Sequence, residues 1–332
     1  MSDSGDGAVQ GVSVIIPTYN RARCVLDAIR SAVEQDPPPL EVVVIDDGST
    51  DNSGELIRDF GHPLVRYQWQ ENKGLSGARN AGLRLARGDL CALLDSDDTW
   101  LPGKLAAQER IMREDPECAL VYTDMVETRF GELAHRSVLH EKGYQRLGEG
   151  YLYENLLHEN FIIPSTVMLR TEDVRRVGYF DERLRSSEDR DMWLRLAETR
   201  KFRFVDQPLC MRNIDSDALT GDLDKWITNQ LAMFREHLRL RRAEPLGGPY
   251  EGRGEAIVKR LEENVHLALT TLGQNCFRNF DLPRARRLLR ESLGRRLDRH
   301  NLKYYLASHV PAPALRRLKR LKDARAAGRE HA

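Results

Sequence analysis

Leu90-Cys91-Ala92-Leu93-Leu94-Asp95-Ser96-Asp97-Asp98 is the stretch that decides how this sequence folds. An apolar run of strand length ends abruptly in acids. A strand covered on both faces reads as a continuous hydrophobic run. Ligands of open α/β sheets bind just outside the carboxyl ends of such strands. Adjacent carboxylates repel one another unless a cation or a positive substrate group sits among them. Mg²⁺ and Mn²⁺ favour oxygen ligands, so Asp95 and Asp97 suit a divalent cation whose shell is completed by phosphate oxygens. A solvated acidic loop after a strand gives the same pattern. An Asp-x-Asp alone does not separate the two readings.

The segments on either side repeat the design. Val12 to Ile16 reads as a buried strand stopped by Pro17-Thr18-Tyr19-Asn20. Val25, Ile29, Ala32 and Val33 then recur at helical spacing until Asp36-Pro37-Pro38-Pro39. Leu40 to Ile45 is a second buried strand, ending in Asp46-Asp47-Gly48-Ser49-Thr50-Asp51. Gly48 permits the tight turn, and Ser49, Thr50 or Asp51 can cap the next helix, Ser53 to Phe60. Val65 to Gln70 reads as a third strand, and Ser76 to Ala86 as a helix. This alternation predicts an α/β fold, a mostly parallel Rossmann-like sheet flanked by helices.

Further along, Pro102 to Glu114 reads as a helix, Ala119 to Val126 as a strand and Phe130 to Gly150 as loop. A strand Thr166 to Leu169, a helix from Thr171 to Gly178, a helix opened by Ser187-Glu188-Asp189-Arg190-Asp191 and a strand Phe202 to Met211 follow. Acids at a helix start suit the free N–H groups and the dipole there, which is the plain structural reading of that cluster. Beyond Asp215 the pattern is helical. The expected organisation is a disordered tail over 1–10, a nucleotide-binding and catalytic domain over 11–215, and a basic helical region over 216–332.

The chain has 332 residues and no net charge at neutral pH. That neutrality hides an asymmetry: Asp281 to Ala332 carries 15 Lys/Arg against 5 Asp/Glu. No apolar run reaches the roughly 18 residues that suggest a membrane span. The N-terminus lacks the basic and apolar parts of a signal peptide. Five scattered cysteines, one inside an apolar strand run, suggest reduced thiols in a cytoplasmic protein and show no metal spacing. Neither Gly-rich phosphate cradle, G-x-G-x-x-G or G-x-x-x-x-G-K-[ST], follows these strands. Phosphates at this rim would therefore be held through metal, which points to a nucleotide-diphosphate compound.

Five motifs in order make the sequence resemble glycosyltransferase family 2, the inverting enzymes of the GT-A fold. They are Val14-Ile15-Ile16-Pro17-Thr18-Tyr19-Asn20, Asp46-Asp47-Gly48-Ser49-Thr50-Asp51, Asn72-Lys73-Gly74 with Ala78-Arg79-Asn80, Leu94-Asp95-Ser96-Asp97-Asp98, and Glu188-Asp189. They span roughly the first two-thirds of the chain. The resemblance implies that Pro17, Thr18 and Tyr19 line a base pocket, Tyr19 by stacking. Asp47 would accept the N3–H of uracil or thymine, Asp95 would meet the ribose side, and Asp97 would hold Mn²⁺ or Mg²⁺. Arg79 would approach the nucleotide; an exposed helical arginine is the plainer alternative. Asp189 would be the general base, with Glu188 and Asp191 as neighbours easily mistaken for it. Trp193 would pack under the acceptor sugar or in the core.

One departure stands out. Many members follow the last core strand with Arg and then His, whereas here the segment is Cys210-Met211-Arg212-Asn213, so a third metal ligand is unassigned. The partners implied are a nucleotide-sugar donor, a UDP-sugar or a related one, and a glycan or lipid-linked acceptor. The basic stretch Arg316 to Lys322 suits either the cytoplasmic membrane face or a solvated helix surface. Without interleaved aromatics it does not suggest nucleic acid. Two rival readings remain: a nucleotide- or carbohydrate-binding relic, and a sugar-phosphate nucleotidyltransferase. The latter needs a Gly-rich basic loop where Pro17-Thr18-Tyr19-Asn20 stands.

Overall fold

The structure, a computed structural model, describes residues 9–129, 132–144, 148–214 and 223–327. The expected tail from Met1 to Ala8 and the expected boundary at Asp215 lie outside the described residues. The chain divides into two compact units, residues 1–221 and 222–332.

The first unit is built on one sheet. Its strands in chain order are β1 Val9–Thr18, β2 Glu41–Asp46, β3 Val65–Trp69, β4 Gly88–Leu93, β5 Thr99–Trp100, β6 Cys118–Arg129, β7 Glu132–His135, β8 Val167–Arg170 and β9 Lys201–Asn213. Val9 and Gln10, read from sequence as tail, already belong to β1. In space the order is β3-β2-β1-β4-β8-β6-β9-β5, with β7 paired to β6. The block β3-β2-β1-β4 is parallel throughout. Its crossovers are the helices Val25–Val33, Ser53–Asp59 and Gly74–Leu85.

Beyond β4 the sheet becomes mixed. β8 lies antiparallel to both β4 and β6, β9 runs parallel to β6, and β5 is antiparallel to β9. Apolar runs record burial on both faces and carry no direction, so the reversal at β8 was not legible from composition. The loop expected over Phe130 to Gly150 also holds β7 and a short helix, Val138–Glu141.

Burial explains why these segments are strands. All six residues of β2 are buried, and Val42 to Ile45 are at most 1% exposed. Burying each such side chain contributes about 1.5–3 kcal/mol. The helix Val25–Val33 buries Val25, Ala28, Ile29 and Ala32, the i, i+3, i+4, i+7 stripe of an amphipathic helix, in the same core. Register then sets the rim. Thr18 lies opposite Asp46 and Ile15 opposite Leu93, so β1, β2 and β4 end side by side.

The second unit contains the helices Leu223–Ala243, Gly254–Arg278, Leu282–Arg295, Arg299–Ala307 and Ala312–Ala327, and no strand among the described residues. Leu282, Ala285, Leu288 and Leu289 form the buried face of their helix. A Cβ at Gly273 would come within 2.8 Å of Leu289 Cγ, so the glycine lets two helices approach closely. Among the described residues, no helix is long and apolar enough to cross a membrane.

Candidate active site

The two acids at the end of β2 do different work. Asp46 is buried; its carboxylate accepts from Tyr67 Oη at 2.7 Å and from the Ser49 N–H at 2.8 Å. Burial and that carboxylate push the Tyr67 hydroxyl up to about 12. Asp46 therefore holds the turn. Gly48 has φ +84, and a Cβ there would sit 3.1 Å from the Asn72 nitrogen, so the turn needs glycine. Asp47 accepts from Gln70 Nε2 at 2.6 Å, Lys73 N–H at 2.9 Å and Gly74 N–H at 2.8 Å. A carboxylate offers about four acceptor positions, so room for about one more donor remains.

Asp47 N–H donates to the Thr18 carbonyl at 2.9 Å, which joins it to the loop after β1. There Pro17 and Thr18 are buried, and Tyr19 is exposed with its ring open to stacking. Thr18 Oγ1 is buried with no hydrogen-bond partner among the described residues. Asn20 folds the two loops together: its Oδ1 accepts from the Thr50 N–H at 2.8 Å.

The acid loop after β4 is held from behind by Ser165. Asp95 N–H donates to Ser165 Oγ at 3.1 Å, and that hydroxyl donates to Asp98 Oδ2 at 2.5 Å. Asp98 also accepts from the Asn213 N–H at 3.2 Å. Burial, then repulsion from Asp95 and Asp97, pushes the Asp98 carboxyl up to about 8. Asp98 is therefore the structural member of the trio. Asp97 stands further out. Burial and the neighbouring Asp95 raise its pKa, and Arg21 Nη2, 3.3 Å from Asp97 Oδ2, pulls the other way. Asn213 Nδ2 donates to the Asp97 carbonyl at 2.7 Å, so the residue after Arg212 steadies this loop. Arg212 itself bonds Glu127 Oε1 at 3.0 Å.

Arg79 is not an exposed helical arginine; it is 1% exposed. Its Nη2 donates to Asp95 Oδ1 at 2.7 Å and its Nη1 to Glu188 Oε1 at 2.7 Å. Burial works against the charge, but Asp95 and Glu188 outweigh it and hold the guanidinium firmly protonated. Glu188 and Asp189 sit at the start of the helix Glu188–Ala197, after Ser187 at φ 62. Burial raises the proton affinity of both carboxylates. Asp189 accepts from Asn160 Nδ2 at 2.8 Å and from the Arg190 N–H at 2.7 Å. Asp191 pairs with Arg195 at 2.8 Å. Glu188 and Asp191 are thus engaged elsewhere, which separates them from Asp189. Trp193 is fully buried, with Nε1 bonded to the Ile162 carbonyl at 3.1 Å, so it packs in the core and not under a sugar.

Contacts join these residues into one rim: Asp47 to Thr18, Arg21 to Asp97, and Asp95 through Arg79 to Glu188 beside Asp189. Sequence reasoning missed Arg21, Asn160, Ser165 and Asn213. Their roles depend on contacts made at long sequence separation, which no local pattern carries. Among the described residues, no group of three His, Cys, Asp or Glu converges as a full metal shell. Asp97, exposed in part and crowded by Asp95, fits a cation that takes most of its ligands from water and phosphate, as Mg²⁺ does.

A parallel β-α-β block whose strands end in carboxylates, continued by a mixed half that returns a second acid cluster, defines a GT-A-type fold. The chain belongs to Glycosyl transferase family 2, whose sequence profile matches residues 13–178. The chondroitin synthase of Escherichia coli is 29% identical over 209 residues, covering 61% of this chain and 29% of that protein. An uncharacterized glycosyltransferase of Rickettsia conorii is 30% identical over 199 residues, covering 60% of this chain and 32% of its own length. This chain thus spans about a third of these two relatives. Among solved structures, S. aureus TarS 1–349 in complex with UDP-GlcNAc superposes with a TM-score of 0.65 at 20% identity, over 86% of this chain and 81% of that one. The mannosyltransferase PcManGT from Pyrobaculum calidifontis, in complex with GDP-Man and Mn²⁺, superposes with a TM-score of 0.59 at 19% identity, over 91% and 85%. At these identities the likeness concerns the fold.

Proposed function

We propose that this chain is an inverting, divalent-metal-dependent glycosyltransferase. It moves a sugar from a nucleotide-diphosphate donor to a hydroxyl of a glycan or lipid-linked acceptor, in the synthesis of a cell-surface polysaccharide. The observation that carries this reading is the joining of the acid rim to Asp189 through Arg79 and Glu188. The nucleotide-sugars bound by TarS and PcManGT support the donor class, and the Mn²⁺ of the latter supports the metal. A uridine donor is the first choice, since Asp47 keeps an acceptor position for an imide N–H.

Tyr19 stacks on the base, and Pro17 and Thr18 wall the pocket. Asp95 meets the ribose. Asp97 holds the metal, which offsets negative charge on the diphosphate when bound. The acceptor oxygen forms a bond to the anomeric carbon on one face, and the bond to the diphosphate oxygen breaks on the other. The leaving diphosphate keeps the electron pair, and the hydroxyl proton passes to Asp189. Each Asp189 oxygen uses one lone pair on a protein donor and keeps another for that proton. Its raised proton affinity suits a general base.

Contact with an anionic membrane face belongs to the same reading. Arg299 to Lys322 carries seven Lys/Arg and no Asp/Glu, with Leu306 exposed within it and Leu297 exposed just before it. Co-sedimentation with anionic but not neutral vesicles would support it. The reaction itself is tested by offering a panel of nucleotide-sugars with simple acceptors and reading the product anomer by NMR. An inverted anomeric configuration is expected; a retained one overturns the single-displacement mechanism.

A further inference from the structure

We propose that Arg79 is a positioning residue, a buried strut that fixes the base helix Glu188–Ala197 against the acid-ended strand β4. The role rests on the transferase reading above and adds a part to it. Two facing carboxylates 93 positions apart in sequence, Asp95 and Glu188, are bridged by one planar guanidinium at 2.7 Å on each side. The fork of an arginine has fixed geometry, so it sets the spacing between the two acids. The Phe180 ring lies 5.4 Å from the guanidinium carbon and backs it.

The same helix, Gly74–Leu85, is fastened to the approach of the base helix at several points. Asn80 Nδ2 donates to the Phe180 carbonyl and to Glu182 Oε1, each at 2.9 Å, and Asn80 Oδ1 accepts from the Phe180 N–H at 2.9 Å. Ser76 Oγ donates to the Leu184 carbonyl at 3.2 Å. At its start, the Gly74 N–H holds Asp47. One stiff element is thus tied to the base pocket, the acid loop and the general base. Catalytic groups must be held closely, and a misplacement of about 1 Å can cost roughly a hundredfold in rate. Glu188 is spent on the strut and leaves Asp189 as the carboxylate that faces the chemistry.

Lysine cannot span both acids, since an ammonium is a point charge without a fork. Arg79→Lys, Glu188→Ala and the milder Glu188→Gln in the full chain test the proposal by two readouts. Hydrogen exchange over residues 186–193 is expected to quicken in Arg79→Lys and Glu188→Ala, with β2 unchanged. Their kcat is expected to fall roughly 10- to 100-fold, with donor KM for Glu188→Ala within about twofold and Glu188→Gln partly restored. Faster exchange at wild-type kcat would overturn the role, as would unchanged exchange. Loss in Glu188→Gln equal to that in Asp189→Asn would make Glu188 the base and overturn it too. A wild-type chain that transfers no sugar overturns the transferase reading, and this role with it, whatever the exchange shows.

Discussion

Asp189→Asn is expected to stop transfer and at the same time stabilise the fold. Burial raises the proton affinity of Asp189 and Asp95 adds to it, while the Arg190 N–H, Arg79 and Asn160 pull it down; the balance is upward. An acid whose folded pKa lies above its unfolded value lowers stability as pH rises through the folded pKa. That cost vanishes below the unfolded value of about 4. Each unit of upward shift costs about 1.4 kcal/mol above the folded pKa. Asparagine escapes this cost but cannot accept at both ends, so it gives up either the 2.8 Å bond from Asn160 or the 2.7 Å bond from Arg190. That loss is about 1 kcal/mol.

A shift of about one unit already exceeds the cost of one lost hydrogen bond, so the expected net at neutral pH is a rise in Tm. Turnover should fall by roughly 10²- to 10⁴-fold, the usual contribution of a positioned base. Scanning calorimetry at about pH 7.5 and pH 4, beside an assay of released nucleotide, reads both effects. The Tm gain should be present at the higher pH and absent at the lower. A Tm drop of about 5 °C at pH 7.5, or turnover within about tenfold of wild type, would refute the reasoning.

Three more outcomes are expected. Glu41, the buried first residue of β2, feels burial work to raise its pKa, but bonds from Arg66, Arg87 and Ser13 bring it below the ordinary range. Glu41→Gln should cost about 1.5–3 kcal/mol near pH 7, shrinking as pH falls below about 4.5, as a melting series in pH would show. Gly88→Ala should unfold the chain or leave it aggregated, since a Cβ would sit 2.4 Å from the Gly11 carbonyl oxygen and 2.9 Å from two further backbone atoms; soluble yield and circular dichroism decide. Those contacts are backbone and cannot give way. In the native chain a thiol reagent should titrate Cys24 alone, because Cys91, Cys118, Cys210 and Cys276 are buried, with burial pushing Cys91 up to about 12.

Much of this architecture is written locally. Val42 to Ile45 and Leu90 to Leu94 could hardly be anything but covered strands, and the acids that end them lie on the rim that strand polarity dictates. What escaped has a common cause. β5 is two residues long and has no period to detect. The antiparallel direction of β8 is not written in Val167 to Arg170 themselves. Asp46 and Asp47 look alike in sequence, yet Tyr67 claims one and the Gln70–Gly74 loop the other. Arg79 could be placed on a helix but not paired, because Glu188 lies far along the chain. Spacing gave the helix start at Glu188-Asp189-Arg190-Asp191, and contacts with Arg79, Asn160 and Arg195 sorted its acids.

The central claim is that the acid rim binds a nucleoside diphosphate through a divalent cation. Thermal stabilisation by UDP, TDP, GDP and CDP, each with Mn²⁺ or with chelator, tests it most directly, because a ligand of the native state raises Tm. The account predicts a UDP shift that requires Mn²⁺ and disappears in Asp97→Ala. An equal shift in chelator, or no shift with any nucleotide in well-folded protein, would contradict it.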